Sequence, residues 1–173
     1  MVGGGNVAFR KAQALLEYGA AVTVVAPQFC AECAALGGNI ALIKRTFEPQ
    51  DIDGAALVCA ATDDSDCNRL VHRLCAARNI PVNVADIPEL CTFYFPALVR
   101  RGDVVVGISS GGSSPALART LRKHIDSFLP QTLARTAARL KALRTELLQR
   151  GEHPARNAEY NELVHSINAE IEM

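Results

Sequence analysis

Four short stretches carry residue types that could do chemistry. Near the N-terminus, Gly3-x-Gly5-x-x-Ala8 has the spacing of a dinucleotide turn. In that pattern the first glycine permits a tight turn, the second lets backbone approach a pyrophosphate, and the small third residue lets a helix pack closely on a sheet. A glycine turn that is only structural would read the same way. Thr62 and Asp63 follow an apolar run, AALVCAAT, at the edge where open α/β sheets bind ligands. There a backbone contact to a cofactor competes with simple capping of the next helix by Asp63, Asp64 or Ser65. Asp86 ends a second apolar run, VNVA, where a carboxylate is placed to act as a general base, although Asp before Ile-Pro is also ordinary turn chemistry. Ser109, Ser110, Gly111 and Gly112 open a helix, and their amides and hydroxyls could hold an anion; a capped turn with Pro115 near the first helical position explains them equally.

These residues need elements to position them. Val7, Ala8, Ala12, Leu15 and Leu16 recur at helical spacing until Gly19, and AVTVVAP then reads as a buried strand closed by proline. A helix around 29–36, a strand NIALIKR, a polar turn EPQDIDG and the strand AALVCAAT follow. SDCNRLVHRLCAARN puts Leu70, Val71, Leu74 and Cys75 on one helical face, and IPVNVAD returns to a strand. Strands alternating with helices in this way predict βαβ units, hence a Rossmann-like doubly wound parallel sheet. Only Met1 and Val2 precede the glycines, so the first strand is expected to be unusually short or to have lost upstream residues. After Asp86 the pattern changes: TFYFPALVRRGDVVVGISS reads as two antiparallel segments about an Arg-Gly-Asp turn, with Pro96 keeping the first at an edge. From Ser114 onward the chain reads as helical, with a stripe of Leu133, Ala137, Leu140, Leu143 and Leu147 and a last helix near 155–170.

The totals exclude several classes. Lys and Arg balance Asp and Glu at 18 each, which gives nucleic-acid binding no support. No apolar run is long enough to span a membrane and no leader pattern precedes the glycines, so a cytoplasmic location is expected. The six cysteines are irregularly spaced and read as reduced thiols. Cys30-x-x-Cys33 has no second half and the four histidines lack mutual ligand spacing, so no metal ligand is assigned. Where the second strand ends, Val25-Ala26-Pro27-Gln28 stand in place of the usual ribose-binding carboxylate; the usual rule thus does not separate NAD from NADP, and Gln28 could bond the ribose through its amide.

Taken in order, VGGGNVAFRKAQALLEYGAAVTVVAP, ATDDSDCN and VNVADIPELCTFYFPALVRRGDVVVGISSGGSSPALARTLR closely resemble the siroheme-synthase N-terminal module, the precorrin-2 dehydrogenase / sirohydrochlorin ferrochelatase family. The segment SSGGSSPALAR is the most specific part. The resemblance implies an NAD-binding Rossmann domain over 1–95, a segment over 96–130 that interlocks two subunits into a homodimer, and a helical C-terminal domain over 131–173, with the tetrapyrrole in a cleft between them. It implies oxidation of precorrin-2 to sirohydrochlorin with hydride passing to NAD, then, in bifunctional members, insertion of ferrous iron as substrate. By matching position, Asn6 and Val7, then Pro27 and Gln28, contact the cofactor; Asp86 matches the family's catalytic aspartate and Ser110 a serine of its active cleft. Arg100, Arg101 and Arg119 are candidates for the substrate carboxylates. The chain lacks the methyltransferase domain of some siroheme synthases, so precorrin-2 is expected from another protein. A dehydrogenase with a separate chelatase, and a non-catalytic NAD-sensing module, are the competing readings.

Overall fold

The computed structural model describes residues 1–172. They divide into two compact units, one over Met1–Tyr94 and one from Phe95 onward.

In the first unit, helix α1 (Asn6–Glu17) starts directly from the glycine turn and buries Ala8 and Ala12. It stops at Gly19, whose φ of +80° a residue with a side chain adopts only under strain. Strand β1 (Val22–Ala26) is buried at four of its five positions, as expected of a strand covered on both faces. It pairs in parallel with β2 (Ile40–Lys44), an edge strand that remains half exposed. The expected helix at 29–36 shrinks to one turn, α2 (Ala31–Ala34), capped by the Cys30 thiol. Cys30 N is held by Gly4 O at 2.8 Å and its thiol caps Cys33 N, so the helix begins only at Ala31. EPQDIDG forms a single 3₁₀ turn over Pro49–Ile52, held by a reciprocal Glu48–Asp51 capping box. Strand β3 (Val58–Ala60) then pairs in parallel with β4 (Val82–Val84), with helix α3 (Ser65–Ala77) between them.

Val2 joins the two pairs. It bridges Val25 on one side and Ala60 on the other, donating to Cys59 O and accepting from Ala61 N, both at 2.8 Å. The spatial order is therefore β2, β1, Val2, β3, β4, all parallel. From Val2 the chain winds one way to β1 and β2 and then the other way to β3 and β4, which makes Val2 the topological switch point of a doubly wound sheet. Two apolar clusters serve this sheet. One gathers Val2, Ile52, Val58, Val71, Cys75, Val82 and Val84 under α3, and the other gathers Ala12, Val22, Val24 and Cys33 under α1 and α2. Each fully buried aliphatic side chain contributes about 1.5–3 kcal/mol.

The second unit begins with an antiparallel hairpin, β5 (Ala97–Arg101) and β6 (Val104–Ile108), starting immediately after Pro96. Gly102 turns it with φ +61°. Three helices follow: α4 (Pro115–Phe128), α5 (Leu133–Gln149) and α6 (Ala158–Glu172). In α5 the stripe buries Leu133 and Leu147. No helix among the described residues is long and apolar enough to cross a membrane.

Candidate functional site

The glycine turn leaves the sheet at the switch point, and its three glycines have different reasons to be there. A Cβ on Gly3, which has φ +115°, would stand 2.2 Å from Ala61 O. On Gly4 it would stand 2.1 Å from Gln28 O and 2.9 Å from the Ala26 Cβ. Both are excluded by the protein's own backbone. Gly5, the N-cap of α1, has φ −86° and nothing within 4 Å of a built Cβ. Packing does not require glycine at Gly5, so its missing side chain leaves open space beside the first amides of α1, those of Asn6 and Val7. Unpaired amides at a helix N-terminus with open space beside them are what a pyrophosphate needs.

Beside the turn, a groove of about 560 Å³ follows the carboxyl edge of the sheet. It brings Gly3, Pro27, Thr62 and Asp63 together with Val2, Thr46, Phe47, Leu70 and Arg73. This size lies within the range that takes a small organic ligand. Gln28 lies outside the groove lining, its carbonyl against Gly4. Asp64, not Asp63, caps α3, accepting from Asp66 N at 2.8 Å and Cys67 N at 3.1 Å. The Thr62 hydroxyl is committed to the fold, donating to Asn68 Oδ1 at 2.8 Å, while buried Asn68 donates back to Thr62 O at 2.9 Å. What Thr62 and Asp63 offer the groove is backbone and one exposed carboxylate. Sequence reasoning missed Thr46, Phe47, Leu70 and Arg73. The last two were findable, because Asp66, Leu70 and Arg73 recur at helical spacing along one side of α3.

Asp86 stands just past β4, exposed, with φ +59°. Aspartate tolerates the left-handed region better than most residues, and such outliers collect at functional sites. Next to it sits a group the sequence did not reveal. Lys11, from the middle of α1, donates to Oδ1 of buried Asn83 at 2.8 Å, and Asn83 in turn donates to Phe93 O at 3.0 Å. Burial lowers the Lys11 pKa, while Coulombic attraction toward Cys59, Cys91 and Asp86 opposes that shift. A cationic side chain therefore stands within electrostatic reach of Asp86.

In the second unit the Ser/Gly loop is tightly self-bonded. Ser110 Oγ accepts from Ser114 N at 3.0 Å, Ser109 Oγ from Gly111 N at 3.1 Å, and Ser113 Oγ donates to Ser110 O at 2.6 Å. Gly111 and Gly112 take φ +61° and +83°, and Ser114 caps α4 through Leu117 N. The accepting hydroxyls of Ser109 and Ser110 each keep a hydrogen to donate. Arg101 departs from its expectation as a substrate-binding residue. It is buried, donating to Asp126 Oδ1 at 2.9 Å, Asp126 O at 2.6 Å and Leu129 O at 3.0 Å, so its guanidinium ties β5 to the end of α4. Arg119 is exposed, and exposed Arg100 donates to Gly102 O at 2.8 Å. Among the described residues, no cluster of three or more His, Cys, Asp or Glu could hold a metal ion.

The family model described as "Putative NAD(P)-binding" matches residues 1–97, and one described as sirohaem biosynthesis protein central matches residues 101–127. The siroheme synthase of Thioalkalivibrio sulfidiphilus is 49% identical over 152 residues, covering 87% of this chain and 31% of that protein. That of Methylobacillus flagellatus is 48% identical, with 87% and 32% covered, and that of Pseudomonas entomophila 46% identical, with 87% and 34% covered. The chain thus spans about a third of the length of these relatives. Among solved structures, SirC, a precorrin-2 dehydrogenase, superposes with a TM-score of 0.67 at 24% identity, covering 97% of this chain and 92% of that one, so the two share a fold.

Proposed function

The chain belongs to this NAD(P)-binding family, and from that premise we propose that it oxidises precorrin-2 to sirohydrochlorin with NAD as hydride acceptor, and then inserts ferrous iron to give siroheme. The observation that carries the reading is the opening at Gly5: an unobstructed helix N-terminus at the switch point, beside a groove at the carboxyl edge of the sheet. The chain's similarity to siroheme synthases over 87% of its length supports the substrate class.

The residues present fit a dinucleotide. The amides of Asn6 and Val7, beside Gly3 and Gly5, would hold the pyrophosphate. Pro27 and Gln28, with Thr62 and Asp63, would border the adenosine end. When bound, NAD supplies a hydride acceptor. Dehydrogenation also releases a proton, and the Asp86 carboxylate takes it; its exposed position past β4 leaves both oxygens free to reach substrate. Metal insertion expels pyrrole protons, and Asp86 accepts one of these as well. Lys11, held by Asn83, places its amine within electrostatic reach of Asp86. Ser109, Ser110, Gly111 and Gly112 present hydroxyls and amides to the carboxylates of the tetrapyrrole, the protein acts as a homodimer, and its location is cytoplasmic.

The test is anaerobic. Precorrin-2 and NAD are mixed with the protein, NADH is followed by absorbance, and ferrous iron is then added while the siroheme spectrum is recorded. NADH followed by protein-accelerated siroheme formation is the expected result. NADH with iron insertion no faster than the uncatalysed control leaves a dehydrogenase that depends on a separate chelatase. NAD binding without any NADH points instead to the sensing module.

A further inference from the structure

Cys30 and Cys33 have no part in the reaction above, yet they are built as a pair. Cys30 is the N-cap of α2 and its Sγ accepts the Cys33 N–H at 3.4 Å. The two thiols also lie close enough for Cys30 to act on the charge of Cys33. Their exposures differ: Cys33 is fully buried at 0%, whereas Cys30 reaches the surface. The remaining cysteines lack this combination. Cys59 and Cys75 are fully buried, with burial pushing the Cys59 thiol up to about 11, and Cys91 Sγ is bonded to both the N–H and the carbonyl of Val84. The pair is also anchored, because Cys30 N donates to Gly4 O at 2.8 Å and so hangs α2 on the glycine turn.

We propose that Cys30 and Cys33 form a reversible dithiol–disulfide site that exchanges with low-molecular-weight disulfides of the glutathione class. The accessible Cys30 thiolate attacks one sulfur of the oxidant, expelling a glutathione thiolate and leaving a mixed disulfide. The Cys33 thiol gives its proton to solvent, and its sulfur displaces the second glutathione. Two protein thiols become one disulfide while one glutathione disulfide becomes two glutathione thiols, so atoms and electrons balance. Burial raises the Cys33 pKa, which suits it to resolve the mixed disulfide rather than to attack first. Residues three apart on a helical turn hold their Cβ atoms about 5–6 Å apart and a disulfide needs about 3.5–4.5 Å. Closure therefore asks only a small local shift, and α2 has a single turn to adjust.

The experiment equilibrates the intact chain with glutathione buffers of rising oxidised fraction, quenches with acid, alkylates free thiols and digests with trypsin. The peptide 12–44 carries Cys30 and Cys33 and no other cysteine. In oxidising buffer it should lose both alkylation sites, be lighter by two hydrogens, and regain both sites after dithiothreitol. Cys33→Ser should instead accumulate one glutathione on this peptide, and Cys30→Ser should accumulate almost none. Two alkyl groups on the wild-type peptide at every buffer ratio would overturn the proposal. So would a glutathione adduct that persists on the wild-type chain, since it would show that Cys33 does not resolve it.

Discussion

Replacing the three glycines one at a time separates fold from ligand. Gly5→Ala puts a methyl group where nothing lies within 4 Å, at φ −86°, which alanine adopts without strain. Alanine is a poorer N-cap than glycine by about 0.5–1 kcal/mol, while loss of backbone freedom in the unfolded chain returns about 0.4–1 kcal/mol. The two nearly cancel, so stability should stay within about 1 kcal/mol and the midpoint of thermal unfolding within about 4 °C. The same methyl would stand between the α1 amides and a pyrophosphate, and NAD affinity should fall by about tenfold or more, at least ~1.4 kcal/mol. Gly4→Ala puts a Cβ 2.1 Å from Gln28 O, an overlap relieved only by moving backbone, at about 1–3 kcal/mol. Gly3→Ala has a similar clash with Ala61 O and must also hold φ +115°, adding about 1–3 kcal/mol of backbone strain. Thermal unfolding by circular dichroism and NAD titration by calorimetry read the two effects separately. A Gly5→Ala protein that binds NAD as tightly as wild type would refute the pyrophosphate seat, and a Gly4→Ala protein as stable as wild type would refute the clash.

Three further outcomes are expected. Asp86→Asn should lower NADH formation from precorrin-2 by about 10²–10⁴-fold while leaving NAD affinity by calorimetry unchanged, since Asp86 lies outside the groove lining. Asp51 is held below its ordinary pKa of 3.8, first by its bond to Arg45, with contacts at 2.8 and 2.5 Å, and helped by the Glu48 N–H. A depressed carboxylate stabilises the fold above its unfolded pKa and loses that contribution as pH falls through the folded value. Urea unfolding at neutral pH and near pH 3 should thus show wild type losing more stability on acidification than Asp51→Asn, and equal losses would refute the assignment. Arg101→Lys keeps the charge but cannot reach Asp126 Oδ1, Asp126 O and Leu129 O together. It should cost about 2–3 kcal/mol in chemical denaturation, whereas a substrate-binding role would leave stability unchanged and raise KM instead.

Local order was readable along the chain. The helical stripes of α1, α3 and α5 and the short β-branched runs of β1, β3 and β4 repeat with the period of their own element, so alternation and parallel pairing follow from neighbours in sequence. The left-handed turn at Gly3 was readable too, because only glycine meets that backbone demand cheaply. Features set by distant partners were not readable. A single residue, Val2, serves as the shared central strand because Val25 and Ala60 approach it from both sides, and one residue has no periodicity to detect. Lys11 finds Asn83 across 72 residues of chain, and Arg101 turns inward because Asp126 and Leu129 close over it. Asp64 rather than Asp63 caps α3 because the chain leaving β3 is already held by Val2 and Asn68. The sequence by itself determined most of the elements and their alternation, since backbone preference and side-chain period act over a few residues. Which polar side chains face the groove and which hold the fold was decided by tertiary structure, because a donor's direction depends on acceptors that only folding brings near.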